Sequence, residues 1–225
     1  MSPVDQLLDE LRSVVDTVSI SYNRRSAVYD VYEGFVFALI IRAAVAAGAS
    51  VSYENRNGNG AIELIFRTSP GMLYSDAHDY THAVLAFPQC APLEVHVGVR
   101  VQGRSGVLHE CDILVLPADE AQLSRNKEVA PRGAKSLLAV ECKYYAGHLG
   151  LHLARGFHGL HADLGLRNPF FVANIGAPRI ERYLSYHKRS WEHNVMPSTP
   201  EMRYFEGQVR EAFKRYQAVN GAMAP

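Results

Sequence analysis

Ser136-Leu137-Leu138-Ala139-Val140-Glu141-Cys142-Lys143 is the stretch on which the fold turns. Leu137 to Val140 is apolar without polar alternation, which predicts a strand covered on both faces. The run then closes on two charges. Side chains alternate along a strand, so Glu141 and Lys143 point to one face and Cys142 to the other. A second apolar run, Ile113-Leu114-Val115-Leu116, begins directly after Asp112. If the two strands are neighbours, about 4.8 Å apart, Asp112 and Glu141 can share one cation with the Lys143 ammonium beside it. Charges at the end of a covered strand are costly unless they are paired or hold a metal.

Working outward, strands are expected at 93–102, 109–116 and 137–144. The polar connection from Pro117 to Lys135 is long, so it is either functional or mobile. Downstream, 149–166 reads as a helix, Phe170 to Ile175 as a short buried strand, and 178–190 and 200–218 as helices. Upstream, Val4, Leu7, Leu8, Leu11, Val14 and Val15 recur at helical spacing and predict an amphipathic helix over 3–18. Residues 27–47 read as a helix that is apolar nearly all round and therefore buried, with Gly48 as its C′ glycine. Asp30 and Glu33 are conspicuous within it. Residues 49–54 and 61–67 suggest a hairpin around the turn-rich Asn55 to Gly60, and 68–92 looks loop-like. Helices, a strand pair, three strands, a helix, a strand and helices in that order predict an α/β fold. Its core would be a central mixed sheet flanked by helices on both faces. No repeat or linker divides the chain, so residues 1–225 are expected to form one domain with a C-terminal helical extension over 178–218.

Composition narrows the function classes. The 225 residues carry 23 basic and 23 acidic side chains, with 48% hydrophobic and 20% charged. That is ordinary for a globular chain. A charge balance of zero counts against general coating of nucleic acid, but a local basic groove on a neutral protein is not excluded. Cys90, Cys111 and Cys142 show no CxxC spacing and suggest neither a disulfide scaffold nor a zinc ribbon. The N-terminus lacks a basic segment followed by an apolar one. The longest apolar segment, Gly34 to Gly48, is interrupted by Arg42 and short of the roughly 20 residues that span a bilayer. The expectation is a soluble, cytoplasmic protein with no membrane partner.

Asp112, Glu141 and Lys143 together resemble the active-site signature of the PD-(D/E)XK nuclease superfamily, the restriction-endonuclease-like fold. The match runs Cys111-Asp112, then Glu141-Cys142-Lys143, with Glu33 as the acid of an upstream helix. Cys111 stands where the name-giving proline would be. The resemblance spans roughly residues 27 to 175 and implies a Mg²⁺-dependent endonuclease acting on DNA, with Mn²⁺ as a substitute ion and RNA as another substrate. It implies metal ligation by Asp112, Glu141 and the backbone carbonyl of Cys142, a water-orienting Lys143, and a supporting Glu33. It also implies products with 5′-phosphate and 3′-hydroxyl ends, a homodimer, and a role as a restriction enzyme or antiphage effector. A catalytically silent nucleic-acid-binding or assembly module, and an RNA or repair nuclease, are the alternatives.

Other candidates compete at several positions. Asp30 lies one helical turn before Glu33, and Arg42 or Arg67 could neutralise a buried acid there. Glu110 is in phase with Asp112. His148, His152, His158 and His161 punctuate the helix after Lys143; one or two, with Arg155, are expected to face the site or a nucleic-acid backbone. Asp76, His78, Asp79 and His82 look metal-like but are expected on an irregular surface loop. Arg179, Arg182, Lys188, Arg189, Arg203, Arg210, Lys214 and Arg215 interleave with Tyr183, Tyr186, Trp191 and Tyr204, a pattern that suits either phosphates and bases or solvated helices.

Overall fold

The computed structural model describes residues 2–15 and 18–221. The first helix, α1 (Pro3–Val15), buries Leu7, Leu8, Leu11 and Val15 along one stripe; the remainder of the expected 3–18 span falls partly on 16–17, outside the described residues. After a two-residue strand β1 (Ser19–Ile20) comes α2 (Val28–Ala46), buried on nearly every side as its composition demands. Its end is a Schellman turn. Gly48 adopts φ +96°, its N–H reaches the Val45 carbonyl at 2.9 Å, and the Ala49 N–H reaches that of Ala44 at 3.0 Å.

Seven strands form the main sheet in the order β2 (Ser50–Asn55), β4 (Thr81–Ala86), β5 (Leu93–Gln102), β6 (Leu108–Pro117), β7 (Leu138–Lys143), β8 (Asn168–Ala173), β9 (Trp191–Glu192). Pairing is antiparallel from β2 to β7 and parallel from β7 to β9. The parallel strands require crossovers, supplied by α4 (Leu151–Leu164) and α5 (Pro178–Tyr186). The last helix is α6 (Pro200–Asn220), capped by the Thr199 hydroxyl, which accepts the Met202 N–H.

Helices cover both faces. On one, α1, α2 and α6 pack Leu11, Phe35, Leu39, Phe205 and Phe213 with Val95, Ile113, Val115, Leu138, Val140 and Val172. On the other, Ala121 of α3 (Ala118–Lys127) and Leu164 of α4 meet Val101, Leu114, Leu116 and Ala139, while α4 and α5 enclose Phe157, Phe171, Ile180 and Leu184. The fold is thus an α/β structure with a central mixed sheet, as its element order predicts.

Three local expectations are corrected. The Asn55–Gly60 turn forms, with the Ala61 N–H on the Tyr53 carbonyl at 2.8 Å, but its arms separate after a Glu54–Gly60 bridge. β2 pairs instead with β4 over six residues, and β3 (Glu63–Leu64) runs parallel to β1. A local turn sets only the first pairs; the buried strand β4, hidden in the region expected as loop, offers a longer ladder. The polar connection after Pro117 is α3 followed by a short 3₁₀ turn at Gly133–Lys135. Glu120 anchors it by accepting from the Arg132 backbone N–H at 3.0 Å and the Arg132 Nε at 2.9 Å. The helix expected over 178–190 stops at Tyr186, making room for β9.

Candidate active site

Asp112 and Glu141 sit where β6 and β7 part. The last paired residues are Ile113 and Val140, so these acids occupy the next step along each strand. The Asp112 side chain reaches across the opening: its Oδ2 accepts the Cys142 N–H at 2.7 Å and lies 3.4 Å from Lys143 Nζ. Lys143 Nζ is 2.7 Å from Glu141 Oε1. Glu141 and Lys143 share one face, and both are half-buried. Cys142 points the other way into the core, only 6% exposed, so its thiol is no ligand for this face.

Glu33 projects from α2 toward the same place. Burial pushes its carboxyl up to about 9, and the nearby Asp112, Asp30 and Glu141 add to the effect while Lys143 opposes it. Glu141 is likewise pushed up to about 6, by burial first and the Asp112 carboxylate second. Burial works against the Lys143 ammonium, but Asp112 and Glu141 outweigh it and hold the amine protonated far above neutral pH. The Lys143 ammonium thus contacts two carboxylates, Asp112 and Glu141, within the electrostatic reach of Glu33, which in turn feels Asp30.

The competing candidates fall elsewhere. Asp30 is buried and raised by burial, and it acts on the cluster through Glu33. Glu110 is exposed and lies 3.8 Å from Arg100. Neither arginine neutralises Glu33: Arg42 is bound by Glu10 and Glu206, tying α1, α2 and α6 together, and Arg67 stacks 3.6 Å above the Tyr80 ring. Of the α4 histidines, His161 lines a crevice with Glu141 and Cys111. His158 packs against Tyr183 and His187, and His148, His152 and Arg155 are exposed.

Five of the eight basic C-terminal residues line two separate grooves. Arg179 and Arg182 line a groove with Gly147, His148 and Gly176, formed by the loops that follow β7 and β8. This is the carboxyl end of the parallel strands, the end at which Lys143 sits beside Ala173. Arg203, Arg210 and Arg215 join Arg167 and Tyr204 around a different groove, at the amino end of β8. The expectation for His82 is corrected: it is not a surface residue of a loop but a buried member of β4, 1% exposed. Its neighbours Glu94 and His96 form a polar cluster that a reading of β5 as a simple core strand passed over. The Glu-x-His alternation inside an apolar run was the available signal.

Comparisons of the chain with models of protein families, with curated proteins and with solved structures found no match. Among the described residues no helix is long and apolar enough to cross a membrane.

Proposed function

We propose that this protein is a metal-dependent endonuclease that hydrolyses DNA phosphodiester bonds. The observation that carries the reading is the Asp112 carboxylate, fixed by the Cys142 N–H at the parting of two strands and facing the Glu141–Lys143 pair. The residues fit a hard divalent cation. Asp112 and Glu141 both contact the single Lys143 ammonium, and burial first, neighbouring carboxylates second, push Glu33 and Glu141 up, so a cation there would relieve the repulsion among these acids. An all-oxygen donor set suits Mg²⁺ or Mn²⁺. Asp112, Glu141 and the Cys142 carbonyl would hold the ion, with Glu33 supporting from α2. When bound, such an ion acidifies water and polarises phosphoryl oxygens.

Lys143 stays an ammonium at neutral pH, so it serves as a fixed positive charge and not as a general base. It orients the attacking water and stabilises charge developing on phosphorus. Asp112, braced by a backbone N–H, keeps its geometry without reorganising. In-line attack by water would leave 5′-phosphate and 3′-hydroxyl ends. Arg179 and Arg182, exposed at the carboxyl ends of β7 and β8, are placed to receive flanking phosphates. A homodimer cutting both strands, and service as a restriction or antiphage effector, extend the same reading on the strength of the family resemblance. Three free thiols suit a reducing cytoplasm.

The test is incubation of wild type, Lys143→Ala and Asp112→Ala with supercoiled plasmid, linear DNA and RNA, with and without Mg²⁺ or Mn²⁺. Wild type should cut DNA only with metal, and each variant should lose about 10²–10³-fold or more. Undiminished cutting by both variants would remove the site assignment. RNA cleavage alone would move the substrate to RNA, and no cleavage of any substrate would favour a silent binding module.

A further inference from the structure

On the sheet face away from α2, β4 and β5 carry a second constellation of ligating side chains. Ala83 pairs with Val95 and Val84 with Glu94, so the next antiparallel step sets His82 opposite His96. Their rings stack with centroids 4.7 Å apart and planes 23° apart. Glu94 lies two residues from His96 on the same strand and therefore on the same face. All three are buried, at 1%, 4% and 0% exposure for His82, Glu94 and His96.

Both imidazoles turn the same nitrogen to one carboxylate oxygen. His96 Nε2 is 2.8 Å from Glu94 Oε2, and His82 Nε2 is 3.4 Å from it. Among the described residues neither ring nitrogen of His82 has a hydrogen-bond partner, nor does His96 Nδ1. A buried imidazole without a hydrogen bond is costly, so this arrangement calls for a partner.

We propose that His82, Glu94 and His96 form a binding site for a zinc-class divalent transition metal, held through the two Nε2 atoms and a Glu94 oxygen. The distances support it. Ligand bonds of about 2.0–2.2 Å in a tetrahedral field set donor atoms roughly 3.3–3.6 Å apart. The His82 Nε2–Glu94 Oε2 edge, at 3.4 Å, has that spacing; the His96 Nε2–Glu94 Oε2 edge, at 2.8 Å, is a hydrogen bond that the ion would replace, and all three donors lie within 4.8 Å of one another. Two imidazoles and one carboxylate select Zn²⁺, Co²⁺ or Ni²⁺ over Mg²⁺, the opposite preference to the all-oxygen cluster at Asp112 and Glu141.

Arg125 of α3 supplies the outer shell. Its Nη1 donates to Glu94 Oε2 at 2.8 Å and its Nη2 to Oε1 at 2.6 Å, fixing the carboxylate as outer-shell partners of metal ligands do. The Tyr80 hydroxyl donates to the Leu73 carbonyl at 2.7 Å and is no ligand. The site would lock β4, β5 and α3 together and is independent of the nuclease reading.

The test uses chelator-treated full-length protein, offered Co²⁺ or Zn²⁺ both in the native state and during refolding, since the site is closed by α3. Wild type should take up one Co²⁺ equivalent with the visible absorption of a tetrahedral site, and Asp112→Asn/Glu141→Gln should retain it. His82→Gln and His96→Gln should weaken uptake by more than the roughly 10–100-fold that loss of an outer-shell partner brings. Should these variants fail to fold, long-range ¹H–¹⁵N imidazole spectra of wild type replace them: Zn²⁺ should shift the Nε2 signals of His82 and His96. No uptake in either state, uptake undiminished in folded His82→Gln, or shifts confined to other histidines would overturn the proposal and leave a purely protein polar cluster.

Discussion

At the residue scale, the acids around Lys143 set a pH dependence whose sign can be worked out. Glu33 rises from an ordinary 4.5 to about 9 and Glu141 to about 6, so the folded chain keeps protons that the unfolded chain releases. Metal-free stability should therefore fall as pH rises from about 4.5 to about 9. Glu33→Gln removes the larger contributor and should flatten that slope, so that the metal-free variant melts at a higher temperature than wild type at pH 9. Thermal melts across pH check this; a slope unchanged in the variant would show that Glu33 is not the titrating group. Mg²⁺ should shrink the advantage by neutralising the same cluster. Cys142→Ser separates the main chain from the thiol. It should cost about 1–3 kcal/mol by burying a hydroxyl in the core, yet leave metal affinity within a few-fold, because only the Cys142 backbone meets the site. Calorimetric titration with Mn²⁺ on folded variant would expose the error if affinity collapsed.

At the element scale, α2 positions Glu33 through its contact with α1. A Cβ at Gly34 would lie 3.0 Å from the Tyr22 ring and 3.2 Å from Leu11. Tyr22 cannot retreat, since it is buried and stacked on Phe66 with centroids 4.8 Å apart. Gly34→Ala gains about 0.8–1.0 kcal/mol of helix propensity but incurs roughly 1–3 kcal/mol of overpacking. The net effect should be a lower melting temperature, and because Glu33 is the adjacent residue, the proposed nuclease activity should fall with it. A variant as stable as wild type would mean that the two helices part freely. Elements with strong one-dimensional patterns were legible in the chain: α1 by its apolar stripe, α2 by being apolar all round, and β6 and β7 by apolar runs abutting acids. β4 was not, because Thr81-His82-Ala83-Val84-Leu85-Ala86 mixes buried polar residues with small ones. Nor was α3, whose polar face masks a helix held by Glu120 and Arg132.

At the scale of the whole molecule, one apolar core joins residues of α1, α2, α6 and the sheet. Such continuity predicts a single cooperative unit. Urea unfolding followed by Trp191 fluorescence, at the β9 edge, and by far-UV circular dichroism should give coincident transitions. Two separated midpoints would instead divide the chain into independent domains.

The candidate site shows how the two levels of information divide. Asp112, Glu141, Lys143 and the burial of α2 follow from the sequence, because hydrophobic periodicity along a strand or helix specifies which side chains share a face. Periodicity does not specify which segments become neighbours. That β2 joins β4, that Glu33 leans on the strand pair from a separate helix, and that His82 meets Glu94 and His96 were decided only in the folded chain. The reason is physical: pairings between distant segments are chosen by the area they bury and the polar groups they satisfy together, quantities that belong to no single stretch of sequence.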